Sequence, residues 1–146
     1  MNRWTWVRVA VVAFSFVAAL FQGSDSASVS SSDWGTLIAS LVLTPIALLI
    51  VIGIQRLNSR SAPVWRYPRW SINPFTMKEP LQFFHLAGYV FLAGGVGYLI
   101  RSTLNHMPMT LETLLWITTG IGVLIGIQLC VIAFRSKMER GERQRV

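Results

Sequence analysis

The sequence has few charged side chains and a single cysteine. Asp, Glu, Lys and Arg together make up 13% of its 146 residues, whereas soluble domains carry about a quarter. The lone Cys130 excludes an internal disulfide bond and the paired-thiol exchange of membrane disulfide-forming enzymes. Little polar sequence remains for a water-soluble catalytic domain.

Residue patterns for catalysis or cofactor binding are equally scarce. The first apolar segment has no carboxylate of the kind that couples protons to substrate in small multidrug transporters. His85 and His106 lie near opposite ends of one apolar segment, so one chain does not place two imidazoles at one depth for a haem. No phosphate-binding loop, zinc cluster or hydrolytic triad is present. The sequence therefore predicts no catalytic residue, metal site or cofactor, and a protein that is not an enzyme.

Long apolar segments dominate what is present. Apolar residues make up 53% of the chain, and a membrane-spanning helix needs about 20 of them in succession. Four segments qualify, and they predict an all-α integral membrane protein in which four antiparallel transmembrane helices form one domain, residues 1–146. The predicted spans are 4–21, 34–54, 81–100 and 111–134, with a polar loop at 55–80 and a charged tail at 135–146. The first segment is also short enough to be the apolar region of a cleaved signal peptide, and that alternative stays open.

Prolines and a capping residue mark the predicted connections. The loop at 55–80 contains four prolines, which exclude a long helix there. Thr110 has the side chain of a helix N-cap, and Glu112 follows in the first turn, where the positive end of the helix dipole favours an acid. Trp34 and Trp116 are expected at the outer membrane interface.

The distribution of positive charge predicts the orientation. Twelve of the 13 Lys and Arg residues fall on one side of the predicted spans, and Arg101 alone falls on the other. Because short loops rich in Lys and Arg stay in the cytoplasm, both termini are expected there (N-in/C-in), in a multi-pass protein of the plasma membrane, specifically a bacterial inner membrane. Basic residues at membrane ends attract anionic lipid headgroups. The net charge of +7 therefore predicts lipid contacts and no nucleic-acid partner.

Small residues in the third and fourth spans predict close helix packing. Gly122 and Gly126 form a GxxxG pattern, and Gly88, Gly94 and Gly95 share a face of the preceding span. Small faces of this kind let helix backbones approach each other in lipid. We expect the third and fourth spans to pack through these faces, with homodimerisation through one face as the alternative.

Three polar residues within the spans are candidate contacts for a partner or a lipid. His85, Tyr89 and Gln128 lie about 6, 12 and 9 Å from the inner ends of their helices, on faces opposite the small residues. Polar groups inside a membrane mark functional sites by default. The alternative is that they are ordinary interfacial side chains.

A second candidate contact lies in the polar loop. Aromatic and basic residues alternate there, a mixture that suits either the headgroup layer or the docking of a cytoplasmic protein. These residues are Trp65, Arg66, Tyr67, Arg69 and Trp70.

These features favour a function through interactions, as an accessory subunit, a stabiliser or a membrane immunity or regulatory factor. The partner would be another protein or further copies of the chain. An oligomeric small-solute transporter or channel lined by Thr36, Ser40 and Thr44 is the first alternative. A lipid- or quinone-binding component of a membrane enzyme, acting near His85 and Tyr89, is the second.

Overall fold

The computed structural model describes residues 3–22, 28–58 and 81–143. The described chain is helical, and its helices are α1 (Arg3–Gln22), α2 (Trp34–Asn58), α3 (Leu81–Leu104) and α4 (Leu111–Arg143). One turn of 3-10 helix, Ser31–Asp33, precedes α2. Each of the four long helices contains a segment long and apolar enough to cross a membrane. The all-helical class and the presence of four such segments agree with the sequence prediction.

Three helices run further than the sequence indicates. α2 continues to Asn58, about one turn beyond the predicted end of its span. α3 continues to Leu104, about one turn beyond the predicted end of the span. α4 continues to Arg143, through most of the segment that was expected to form a tail. Helical hydrogen bonding therefore extends past the apolar part of α4, which ends near Ala133.

α3 and α4 form the antiparallel centre of the bundle, with α1 beside α3 and α2 beside α4. The two outer helix pairs, α1 with α3 and α2 with α4, are parallel. Ser15 Oγ of α1 donates a hydrogen bond to the Val90 carbonyl of α3 at 2.9 Å. Ser40 of α2 and Thr118 of α4 share a hydrogen bond between their hydroxyls at 2.8 Å. Helices that are consecutive in sequence, α1 and α2, are therefore not neighbours in space.

Residues just before α2 pair with residues just before α4. Ser28 and Thr110 form an isolated antiparallel bridge, and the Val29 N–H donates to the Met109 carbonyl at 3.3 Å. Thr110 also caps α4, because its Oγ1 accepts a hydrogen bond from the Thr113 N–H at 3.3 Å. The predicted N-cap is thus confirmed. This end of the bundle is called the Thr110 end below, and the opposite end, where α3 begins, the Leu81 end.

α3 ends in a Schellman motif without a glycine. His106 adopts a left-handed φ of 53°, and its N–H donates to the Thr103 carbonyl at 3.3 Å. The Met107 N–H donates to the Ser102 carbonyl at 2.9 Å. This pair of bonds is the usual way to close a helix C-terminus, and it turns the chain towards α4.

Glycines on α3 and α4 bring the central pair close together. A Cβ added to Gly120 of α4 would lie 2.9 Å from the Gly88 carbonyl oxygen and the Leu92 nitrogen of α3. A Cβ added to Gly95 would lie 2.5 Å from the Ile117 side chain. Both positions therefore hold α3 and α4 at a distance that a larger residue does not permit.

The GxxxG residues contact a different helix from the one expected. A Cβ on Gly126 would lie 2.8 Å from Pro45 Cα of α2, and one on Gly122 would lie 3.1 Å from Thr44 Cβ. The prediction that Gly122 and Gly126 pack against α3 is wrong. α2 contacts this face through Thr44 and Pro45, while α3 packs on Gly120.

Trp116 packs against α3, a contact that the sequence does not predict. Its ring packs on Phe91 and Tyr98 of α3, with centroid distances of 5.2 and 5.9 Å. A Cβ on Gly94 would lie 2.7 Å from the Trp116 ring, so the glycine makes room for the indole. Trp116 is a packing residue between helices, whereas Trp34 is 58% exposed.

A lateral site beside helix α3

The antiparallel register of α3 and α4 brings His85 and Gln128 to one level. Gly88 faces Leu124, since a Cβ on the glycine would lie 3.0 Å from the leucine side chain. Because α3 and α4 are antiparallel, a residue that precedes Gly88 in α3 lies level with a residue that follows Leu124 in α4. His85 precedes Gly88 by three positions and Gln128 follows Leu124 by four, so the two lie level with each other near the Leu81 end.

The two residues line a common cavity of about 300 Å³ between α3 and α4. Its rim includes Ile125 and Leu129, which are 43% and 41% exposed, so the cavity opens sideways from the bundle. We call it the α3/α4 cavity, and its lining residues are His85, Tyr89, Leu124, Ile125, Gln128 and Leu129. The three polar residues singled out in the sequence are therefore brought together.

The polar side chains of the cavity differ in their surroundings. His85 is only 2% exposed, and its ring meets the Tyr89 ring edge to face, with centroids 5.1 Å apart and planes at 75°. Gln128 is half-buried. Its side-chain amide makes no hydrogen bond to another residue in the described part of the chain. Within the described part of the chain, the Gln128 amide therefore keeps donor and acceptor capacity for another group.

A second cavity, of about 350 Å³, lies on the other side of Tyr89, between α1 and α3. We call it the α1/α3 groove. Its walls are wholly apolar, and Arg8 contributes the aliphatic part of its side chain to them. The lining residues are Arg8, Val9, Val12, Ala13, Phe16, Leu86, Tyr89 and Ala93.

Arg8 lies at about the same level as His85. Ser15 bonds to the Val90 carbonyl, and it also faces Gly94, 3.1 Å from a Cβ placed there. Because α1 and α3 are parallel, Arg8, which lies two turns before Ser15, is level with the first turns of α3. The basic side chain and the polar residues of the α3/α4 cavity thus share the Leu81 end of the site. The sequence indicated Arg8 only as an orientation signal, since its distance from α3 depends on the packing of α1.

The residues proposed to line a pore are mostly inside a helix contact. Ser40 bonds to Thr118 and to the Leu37 carbonyl, at 2.8 and 2.9 Å. Thr44 packs against Gly122, and Thr36 is exposed. These contacts favour a packing role for the stripe.

The other candidate contact cannot be placed. Trp65, Arg66, Tyr67, Arg69 and Trp70 lie outside the described residues. Within the described ranges, no three His, Cys, Asp or Glu side chains are grouped closely enough to hold a metal ion. Comparisons with protein families, curated proteins and solved structures found no match.

Proposed function

We propose that this chain is a multi-pass protein of the bacterial inner membrane that acts by binding other membrane components at the side of α3. In this proposal the Leu81 end and both termini face the cytoplasm, which is supported by the twelve basic residues on that side. The function is of an accessory or regulatory kind, without catalysis or transport by the chain itself.

The observation that carries the proposal is the convergence of His85, Tyr89 and Gln128 on one sideways-opening cavity. At this level the surroundings are the hydrocarbon of the inner leaflet, where an amide is unfavourable unless it is hydrogen bonded. A hydrogen bond of this kind within a membrane contributes about 0.6–2 kcal/mol. A bound molecule that satisfies Gln128 therefore gains affinity at this site over the rest of the lipid-facing surface.

The contacts within the bundle support binding over transport. A pore needs polar groups along a path through the membrane, but Ser40 is bonded to Thr118 in the α2 and α4 contact. Both cavities beside α3 instead open to the side of the bundle, at one end. This geometry suits a ligand that arrives from within the bilayer.

Site-specific photo-crosslinking in cells tests the binding face. A photoreactive residue at Leu129, on the cavity rim, is expected to give a discrete adduct. The same residue at Ile38 of α2, which is 60% exposed, serves as the control for random contact with lipid and protein. The rim adduct should disappear when His85→Leu, Tyr89→Phe and Gln128→Leu are combined, provided that the variant retains its thermal stability. Identical adducts at both positions, or a rim adduct that survives the triple replacement, would contradict the proposal.

A further inference from the structure

We infer that the membrane component bound at this face is a second copy of the chain, in a two-fold dimer whose α4 helices run parallel and pair through Gln128. This inference rests on the proposed function, because it names the component that the binding face takes. Three features of α4 lead to it: an exposed apolar face, a glutamine at the centre of that face, and the hydrogen-bonding needs of the glutamine amide.

One face of α4 is exposed in the described part of the bundle. Gly120 contacts α3 and Gly122 contacts α2, and the arc between these contacts carries three exposed isoleucines and Gln128. At 100° per residue these four side chains fall within about 60°. Their spacing of 4, 3 and 4 positions is that of the interface by which two helices pack at a small crossing angle. We call them the α4 stripe: Ile121, Ile125, Gln128 and Ile132.

The α4 stripe is continuous with the binding face already described. Ile125 and Gln128 also line the α3/α4 cavity, which opens sideways next to the stripe. A helix that packs along the stripe therefore covers the mouth of the cavity. An apolar side chain of that helix can enter the space beside Gln128.

Gln128 is the polar member of the stripe. It lies five residues inside the end of the apolar segment of α4, which closes at Ala133. Its amide makes no hydrogen bond within the described part of the chain. An amide in hydrocarbon is unfavourable until it is hydrogen bonded, and it has two needs, because its NH₂ group donates and its carbonyl accepts. The occupant must therefore offer both an acceptor and a donor at this depth.

A second Gln128 meets both needs. Two amides that face each other across a two-fold axis donate and accept reciprocally. Copies inserted in the same orientation are related by an axis along the membrane normal, so the two amides lie at the same depth by symmetry. The isoleucines of the two stripes then interdigitate on either side of the amide pair. One polar pair within an apolar interface fixes the register and the number of helices.

Other occupants leave part of the site unused. At this depth a phospholipid offers ester carbonyls, which accept hydrogen bonds but do not donate them, so the Gln128 carbonyl would stay unsatisfied. The carbonyl oxygens of a quinone have the same limitation. A different protein would have to supply an amide-like side chain at the same depth, a condition that a second copy meets by symmetry. Dimerisation through Gly122 and Gly126 is not open, because both glycines already pack against α2.

Disulfide cross-linking of the full-length chain in membranes tests the dimer interface. Ile125→Cys should give a covalent dimer on oxidation with copper phenanthroline, because the two-fold axis brings this position close to itself. Ile46→Cys is the matched control, since Ile46 is 46% exposed and Ile125 43%. Ile46 also lies at a similar level on the parallel helix α2, next to Pro45, which contacts Gly126. The control should stay monomeric, as should the wild type, whose Cys130 is buried. Equal dimer yields from the two variants would overturn the inference.

The dimer dissociation constant tests the role of Gln128. Energy transfer between labelled full-length chains in liposomes measures it. Gln128→Leu should weaken the dimer about threefold to thirtyfold, the factor that corresponds to the ~0.6–2 kcal/mol of an interhelical hydrogen bond in a membrane. Gln128→Asn keeps an amide and should retain part of the affinity. The thermal stability of the monomer should be unchanged by Gln128→Leu, and a dissociation constant that is also unchanged would contradict the amide pair.

The photo-crosslinking experiment distinguishes failure of this inference from failure of the proposed function. An adduct at Leu129 with twice the mass of the chain supports the dimer. An adduct with a lipid or a different protein would overturn the dimer while leaving the proposed function standing. Identical adducts at Leu129 and Ile38 would overturn the proposed function itself.

Discussion

At the scale of single residues, Arg101 resolves an apparent exception to the charge distribution. It is the one basic residue predicted on the outer side. Its guanidinium donates hydrogen bonds to the Leu20 carbonyl, at 2.9 Å, and to the Phe21 carbonyl. These are carbonyls of the last turn of α1, which lack partners within their own helix. Arg101 therefore caps α1 from a neighbouring helix and complements the negative end of its dipole.

Replacing Arg101 should loosen α1 without changing the membrane orientation. We expect Arg101→Gln to lower the free energy of unfolding by about 1–2 kcal/mol, because two carbonyls lose charge-assisted hydrogen bonds. Thermal unfolding in detergent measures the loss. Arg101→Lys, which keeps the charge but not the forked donor geometry, should lie between the wild type and Arg101→Gln. Equal stability of all three proteins would show that the cap contributes nothing.

Residue-level predictions from the sequence succeeded where the interaction is local. The cap at Thr110 depends on a residue three positions away, so the sequence alone was sufficient. The partners of Ser15 and Arg101 lie 75 and 81 positions away in sequence, and nothing in the local pattern reveals them. The contact of Trp116 with α3 was not predictable for the same reason, since the space left by Gly94 exists only once α3 and α4 are docked.

At the scale of helices, α4 holds the centre because it has small residues on two opposite faces. Gly120 and Gly122 are two positions apart, about 200° around a helix of 3.6 residues per turn. The first contacts α3 and the second contacts α2. The GxxxG pattern alone predicted one close contact for α4. It did not predict the partner, because both α2 and α3 offer surfaces that accept a glycine face.

Alanine substitutions should separate the packing glycines from the others. Gly120→Ala and Gly126→Ala each place a Cβ within 3 Å of the backbone of a neighbouring helix, so we expect each to destabilise the protein by about 1–3 kcal/mol. Gly53→Ala is the matched control, because no atom lies within 4 Å of its Cβ position. It should be neutral or stabilising, since alanine favours helix by about 1 kcal/mol over glycine. The same thermal measurement reports all three, and a similar loss in Gly53→Ala would contradict the assigned contacts.

At the scale of the whole molecule, the spatial order of the helices creates the lateral site. The site needs α1 and α4 on either side of α3, an order that separates α1 from the helix that follows it in sequence. The sequence identifies the four apolar segments and the positions of His85, Tyr89 and Gln128 along them. It does not specify which helices are neighbours, and so the α1/α3 groove and the position of Arg8 beside it were not predictable.

The orientation of the bundle can be tested separately from its fold. The bridge between Ser28 and Thr110 places the two connections at the same end, so reporters fused after Ser30 and after Asn105 must agree with each other whichever way the protein inserts. The positive-inside rule adds that both should be exported, while fusions after Arg60 and Val146 should be cytoplasmic. Paired alkaline phosphatase and green fluorescent protein fusions at each position give opposite signals and control for expression. Disagreement between Ser30 and Asn105 would contradict the four-helix arrangement. Agreement with the opposite location would retain the arrangement but would contradict the proposed cytoplasmic position of the Leu81 end, with Arg8, His85 and Gln128.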